Sequence, residues 1–159
     1  MNQLITDQNY VKIVGELIRL AKEEILMSVF CARFKARNNY QGSKTILEEL
    51  SKAQDKKVKV NILLHGGKNY SIIAKWNKAS IKTFRNFGLR PKFAVPEVTL
   101  HSKFLVIDGN TLVIGSHNLT ESSLTRTQEV SVVMEDYIIA QRAKKYFMEL
   151  WNKAHDQDF

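Results

Sequence analysis

Residues 101–118 read His-Ser-Lys-Phe-Leu-Val-Ile-Asp-Gly-Asn-Thr-Leu-Val-Ile-Gly-Ser-His-Asn. Two β-rich runs flank Asp108, Gly109 and Asn110, residue types that favour tight reversals, so the stretch predicts a hairpin. With Gly109 and Asn110 as a two-residue loop, Asp108 faces Thr111, Lys103 faces Ser116 and His101 faces Asn118. A four-residue loop keeps that register, and a loop of Asp108 and Gly109 slides it by two. Only an odd loop separates the four residues onto different faces. Directly opposed side chains have Cβ atoms about 4.5–5.5 Å apart, so the even registers gather His101, Lys103, Ser116 and Asn118 into one patch. Asp108 has the opposite parity and reads as a turn-shaping residue.

Outward from the hairpin, helical and strand-like periods alternate, which predicts an α/β fold. Val11, Val14, Leu17, Ile18 and Ala21 recur at helical spacing and place a helix over about residues 8–22. The apolar run from Ile25 to Cys31 reads as a buried strand. Ile46, Leu47 and Leu50 mark a second helix, after which Val58, Val60, Ile62 and Leu64 alternate as a strand. A third helix, about residues 71–87, carries Ile73, Trp76, Ser80, Phe84 and Phe87 as a core stripe, with Gly88 as its C-cap. Strands are expected at 92–95, 101–107, 111–115 and 128–134, with no helical period until about Asp136. A last helix then carries Ile139, Ala143, Phe147 and Leu150. No repeat or linker divides the chain, so residues 1–159 are expected to form a single domain.

Composition narrows the partners. The 44% hydrophobic and 25% charged content is that of a globular protein. One cysteine, Cys31, excludes an intramolecular disulfide framework and a cysteine zinc cluster. The net charge of +8 favours anionic partners, nucleic acid first and an acidic membrane surface second. Candidate contacts to a polyanion are Arg33, Lys35 and Arg37 in a basic loop over residues 33–44, Lys68 after the glycines 66 and 67, and the helical stripe Lys75, Lys78, Lys82 and Arg85. The polar start, with Asp7, lacks a secretory pattern, and a cytoplasmic location is expected.

The hairpin patch suits phosphoryl transfer. An imidazole can serve as nucleophile or proton carrier near neutral pH. Lys103 adds a point charge, and Ser116 and Asn118 add neutral donors for non-bridging oxygens. His65, His117 and His155 lack such neighbours and read as structural or peripheral. No carboxylate cluster or His/Cys metal spacing is evident, so no metal or cofactor is expected.

The run His101, Lys103, Asp108 (H-x-K-x4-D), followed by Gly115, Ser116 and Asn118 (G-S-x-N), resembles the phospholipase D superfamily. The resemblance implies a phospholipase D-like half-domain, a mixed central β-sheet flanked by helices. It also implies a metal-independent phosphodiesterase working through a phosphohistidine on His101, with Lys103, Asn118 and Ser116 stabilising the phosphoryl oxygens. Glu129 sits where the family commonly places an acid that orients the histidine. One motif copy in 159 residues is similar to the small bacterial endonuclease branch, in which two chains build one site. That implies a homodimeric nuclease acting on DNA or RNA, with the Lys103–Ile107 region lining the interface. The alternatives are a phospholipid hydrolase using the same site and a nucleic-acid-binding module with little turnover.

Overall fold

The computed structural model describes residues 2–34, 41–68 and 71–156. In chain order these form β1 (Asn2–Thr6), α1 (Asn9–Leu20), β2 (Glu24–Val29), β3 (Ala32–Arg33), α2 (Gln41–Asp55), β4 (Lys59–Leu64) and α3 (Ile72–Asn86). There follow β5 (Lys92–Phe93), β6 (Phe104–Ile107), β7 (Thr111–Gly115), β8 (Leu119–Thr120), α4 (Glu121–Thr125), β9 (Val130–Glu135) and α5 (Tyr137–Trp151). Seven strands form a mixed sheet in the order β1-β9-β7-β6-β2-β4-β5, parallel from β2 to β5 and antiparallel elsewhere. β3 and β8 pair in parallel as a separate two-stranded sheet.

Helices cover both faces of the large sheet. Val14 and Ile18 of α1, Ile46, Leu47 and Leu50 of α2, and Ile81 and Phe84 of α3 pack with Ile25, Met27, Ile62 and Leu64 on one side. Ala140 and Phe147 of α5 pack with Leu26, Leu63, Phe104, Val106 and Leu112 on the other. With both faces covered, β4 buries Asn61 to Leu64 in succession, and the alternation expected of a half-buried strand is absent. Among the described residues, no helix is long and apolar enough to cross a membrane.

The hairpin register differs from the expected one. Ile107 pairs with Thr111 and Phe104 with Ile114, so the loop is Asp108, Gly109 and Asn110, an odd length. Asp108 and Gly109 both have positive φ, 51° and 62°. The cause is tertiary: the Asp108 carboxylate accepts the backbone N–H groups of Lys22, Glu23 and Glu24 at 2.8–3.2 Å, tying the turn to the α1–β2 connection. Asp108→Ala should therefore cost about 2 kcal/mol through lost charge-assisted hydrogen bonds. Thermal unfolding checks this as a fall in Tm of roughly 4–8 °C, and Asp108→Asn, which tolerates positive φ and keeps one acceptor, should lose less.

Other expectations also change. His101 to Lys103 lie before β6 rather than within it. Phe104 to Ile107 are buried within their own chain, so the interface lining expected of that segment is not available there. Gly42 and Lys44 belong to α2, not to a loop, because the Glu121 carboxylate caps the helix start through the N–H groups of Gly42 and Ser43. Polar β1 and the short β8 and α4 went unpredicted: β1 is held mainly by its pairing with β9, a contact that no local period signals.

Candidate active site

The segment entering β6 is fixed by its middle residue. Ser102 Oγ lies 2.8 Å from Ser28 Oγ of buried β2, and Ser28 Oγ also donates to the Ser102 carbonyl. His101, on one side of Ser102, is exposed, and its ring sits 4.5 Å from that of half-buried Phe30. Lys103, on the other side, donates from Nζ to the His101 carbonyl at 2.8 Å and lies 5.0 Å over the same Phe30 ring. Burial holds the Lys103 amine below the ordinary lysine value, opposed by the Glu129 carboxylate and the Cys31 thiol. The thiol itself is pushed up to about 11 by burial, so Cys31 is no thiolate nucleophile at neutral pH.

The second half of the motif turns away from the hairpin as soon as β7 ends. Gly115 N–H reaches the Lys103 carbonyl at 3.3 Å, but Ser116 N–H goes to Val130 on β9 and Leu119 N–H to Cys31. This departure, and not strand register, brings Lys103 and Asn118 to one small pocket. Gly115 is obligatory here, since a Cβ would lie 2.2 Å from Ser131 Oγ and 2.3 Å from the Val130 carbonyl oxygen. Asn118 is held by its backbone N–H on Ser123 Oγ at 2.8 Å. Its Oδ1 is buried and has no partner among the described residues, an unmet hydrogen-bonding group that a ligand could satisfy.

Glu129 sits among hydroxyls. It accepts from Ser123 at 2.8 Å, from Thr127 at 3.0 Å and, in a close contact, from Ser116. Burial pushes its carboxyl up, but those three hydrogen bonds and the nearby His117 bring it below its ordinary value. Among the described residues no hydrogen bond joins Glu129 to His101 within the one chain. Within the chain the carboxylate steadies Ser116 and acts on Lys103 by charge.

Two histidines are structural, as expected. His117 is buried, stacks on Tyr10 at 4.2 Å, and bonds Ser131 Oγ and the Asp7 carbonyl through its two nitrogens. His65 is buried and accepts the Leu100 N–H on Nδ1 at 3.3 Å. Burial, and then the charge of His101, hold its imidazole below the ordinary value. It thus braces the residue preceding His101.

Phe30, Asn77 and Ser80 carry part of the site and were missed as such. Asn77, on the buried face of α3, donates to the Phe30 and His65 carbonyls and accepts the Ala32 N–H at 2.7 Å. Ser80 donates to the Ala32 carbonyl at 2.8 Å. A polar pair inside an apolar helix face was the available signal. Among the basic candidates, Arg33 stacks 3.8 Å over Trp76, which is half-buried and not core. Lys75, Lys82 and Arg85 are exposed along α3, while Lys68 and Lys78 meet at one cavity. Lys35 and Arg37 lie outside the described residues.

A family model, the cardiolipin synthase, PLD-like domain, matches residues 14–151. The chain belongs to this family. Among solved structures, the phospholipase D-like fold is shared with Nuc, a phospholipase D family member from Salmonella typhimurium, at a TM-score of 0.78 and 19% identity over 100% of both chains. NucT from Helicobacter pylori matches at a TM-score of 0.73 and 13% identity over 99% of each chain. TrmBL2, an archaeal chromatin protein with a described mode of DNA binding, matches at 0.62 and 20% identity, covering 98% of this chain and 54% of its own. No curated protein matches the sequence significantly.

Proposed function

We propose that this phospholipase D-like chain, as one domain over residues 1–159, is a metal-independent phosphodiesterase and specifically a nuclease, its site completed by a second copy. The observation that carries the reading is the exposed His101 imidazole beside the partly buried Lys103 amine, with the Asn118 amide, whose Nδ2 can donate, in the same pocket region as Lys103. Two of the other histidines are buried and bonded, which leaves His101 as the motif imidazole free to react. In the proposed reaction, His101 nitrogen attacks phosphorus and the P–N bond forms as the bond to the leaving oxygen breaks. The second copy's His101 protonates that oxygen, then takes a proton from the water that attacks phosphorus and releases His101. Lys103 Nζ and Asn118 Nδ2 donate to the non-bridging oxygens, and Ser116, whose one hydroxyl proton goes to Glu129, supports them from beside the site. Glu129, kept anionic by three hydroxyls, fixes Ser116.

A second copy has a place to bind. Leu4 of β1 and Ile114 of β7 flank Val132 of β9 in register on the α5 side of the sheet, and with Val130 they stay 43–63% exposed. Ile114 immediately precedes Gly115 and Val130 immediately follows Glu129, so this apolar face runs into the site. An isologous contact over it would bring two sites together. The +8 charge supports a nucleic-acid substrate.

The test is a substrate panel in excess EDTA: single-stranded DNA, double-stranded DNA, RNA, and phosphatidylglycerol vesicles. Cleavage of a nucleic acid at an undiminished rate is expected. Loss on chelation, restored by magnesium, would overturn the metal-independent mechanism. Turnover of the vesicles alone would make the protein a phospholipid hydrolase, and retention of nucleic acid without turnover of any substrate would make it a binding module.

A further inference from the structure

A cavity of about 330 Å³ opens at the carboxyl ends of the parallel strands β4 and β5, the edge at which open α/β sheets usually bind ligands. Its volume is at the lower end of small-ligand pockets. Three separate segments bring basic side chains to it: Lys68 from the β4–α3 connection, Lys78 from α3 and His155 from beyond α5. Phe93 and Pro96 supply an apolar wall, and none of the described lining residues is acidic. Glu97 and Asp156 adjoin the lining in sequence but do not form it.

The walls are fixed. His155 exchanges two backbone hydrogen bonds with Phe93, 3.0 and 3.1 Å, which extends the sheet edge and sets where its side chain starts. Gly66 presses against β5: a Cβ there would lie 2.3 Å from the Ala94 carbonyl oxygen. Gly67 has φ of 55°, and a Cβ there would lie 2.7 Å from His65 Nε2. The other ring nitrogen of His65 holds Leu100, the neighbour of His101. One buried histidine therefore backs both the cavity wall and the candidate nucleophile.

We propose that this cavity is a second phosphate subsite, gripping a nucleic-acid strand at a linkage other than the one being cleaved. The inference rests on the nuclease reading above and adds where the strand is held. A phosphate with its sugar suits a cavity that pairs basic groups with one apolar wall, and His65 backs both this cavity, at Gly67, and the residue before His101.

The test uses single-stranded oligonucleotides in which each linkage in turn is a neutral methylphosphonate, with bis(4-nitrophenyl) phosphate as a one-phosphate comparison. For the wild-type protein, neutralising one non-scissile linkage should raise KM about tenfold, the loss of one charge-assisted contact. Lys68→Ala/His155→Ala should show that raised KM on the all-phosphate strand and no further response to the neutral linkage. Its loss on the strand should exceed its loss on bis(4-nitrophenyl) phosphate by a similar factor. A wild-type protein indifferent to every non-scissile linkage would overturn the subsite without any variant having to fold. A double variant that keeps the wild-type pattern would do the same. Turnover of bis(4-nitrophenyl) phosphate with no cleavage of any oligonucleotide would instead remove the nuclease reading itself, and the subsite with it.

Discussion

His101→Ala is expected to reduce turnover of bis(4-nitrophenyl) phosphate and of nucleic acid by on the order of 10⁴-fold or more, the scale on which losing a covalent nucleophile acts. The fold should be untouched, because His101 is exposed and its ring packs against the half-buried Phe30 ring from outside the core. Such surface changes usually lie within about 0.5 kcal/mol. His101→Asn, closer in size, should be equally inactive, since an amide cannot form the phosphoryl intermediate. Lys103→Ala should also be severely impaired, because it removes the one ammonium that touches the His101 backbone and faces the Glu129 charge. The measurements are kcat, thermal unfolding and binding of a labelled oligonucleotide. A His101→Ala protein with near-normal kcat would end the assignment.

The second large effect concerns the number of chains per site. An in-line displacement needs a nucleophile on one side of phosphorus and an acid on the other, and one chain has one motif imidazole. Mixed dimers of wild-type and His101→Ala chains should therefore turn over poorly. An equal mixture, after exchange, should retain roughly one quarter of the wild-type activity if both imidazoles serve one site, and roughly one half if each chain works alone. Ile114→Glu should shift the protein toward monomer in sedimentation and lose activity with the dimer, since the glutamate lies on the apolar face that adjoins Gly115. A fully active monomer would rule out the shared site.

The residue types of the site were legible because its chemistry is concentrated in a short motif. Imidazole, ammonium, hydroxyl and amide stand within residues 101–118, and the bland roles expected for His65 and His117 agree with their burial. The geometry was not legible to the same degree. Glu129 was picked by position, but its three hydroxyl partners are set by the chain's path: Ser123 and Thr127 lie just upstream, in α4 and in the turn after it, and Ser116 is brought to it by the pairing of β7 with β9. Phe30 reads as one more apolar residue of a buried run, yet its ring is the surface on which His101 and Lys103 rest.

Local periodicity and turn chemistry determined, from the sequence alone, that this is an α/β chain, where α1, α3 and α5 run, and that β7 spans Thr111–Gly115. Those features depend on near neighbours, whose spacing is written in the chain. Only the tertiary structure decided the hairpin register and the placing of the motif side chains. Asp108 found its partners at residues 22–24, and that remote capture, with positive φ at Asp108 and Gly109, made the loop three residues long. The one-residue shift would have scattered the motif had the strands continued. They end at Phe104 and Gly115, and hydrogen bonds to β2, β9 and the Cys31 carbonyl redirect the chain. No local pattern encodes a bond whose partner lies 84 residues away, because its free energy exists only once both segments are packed on the same sheet.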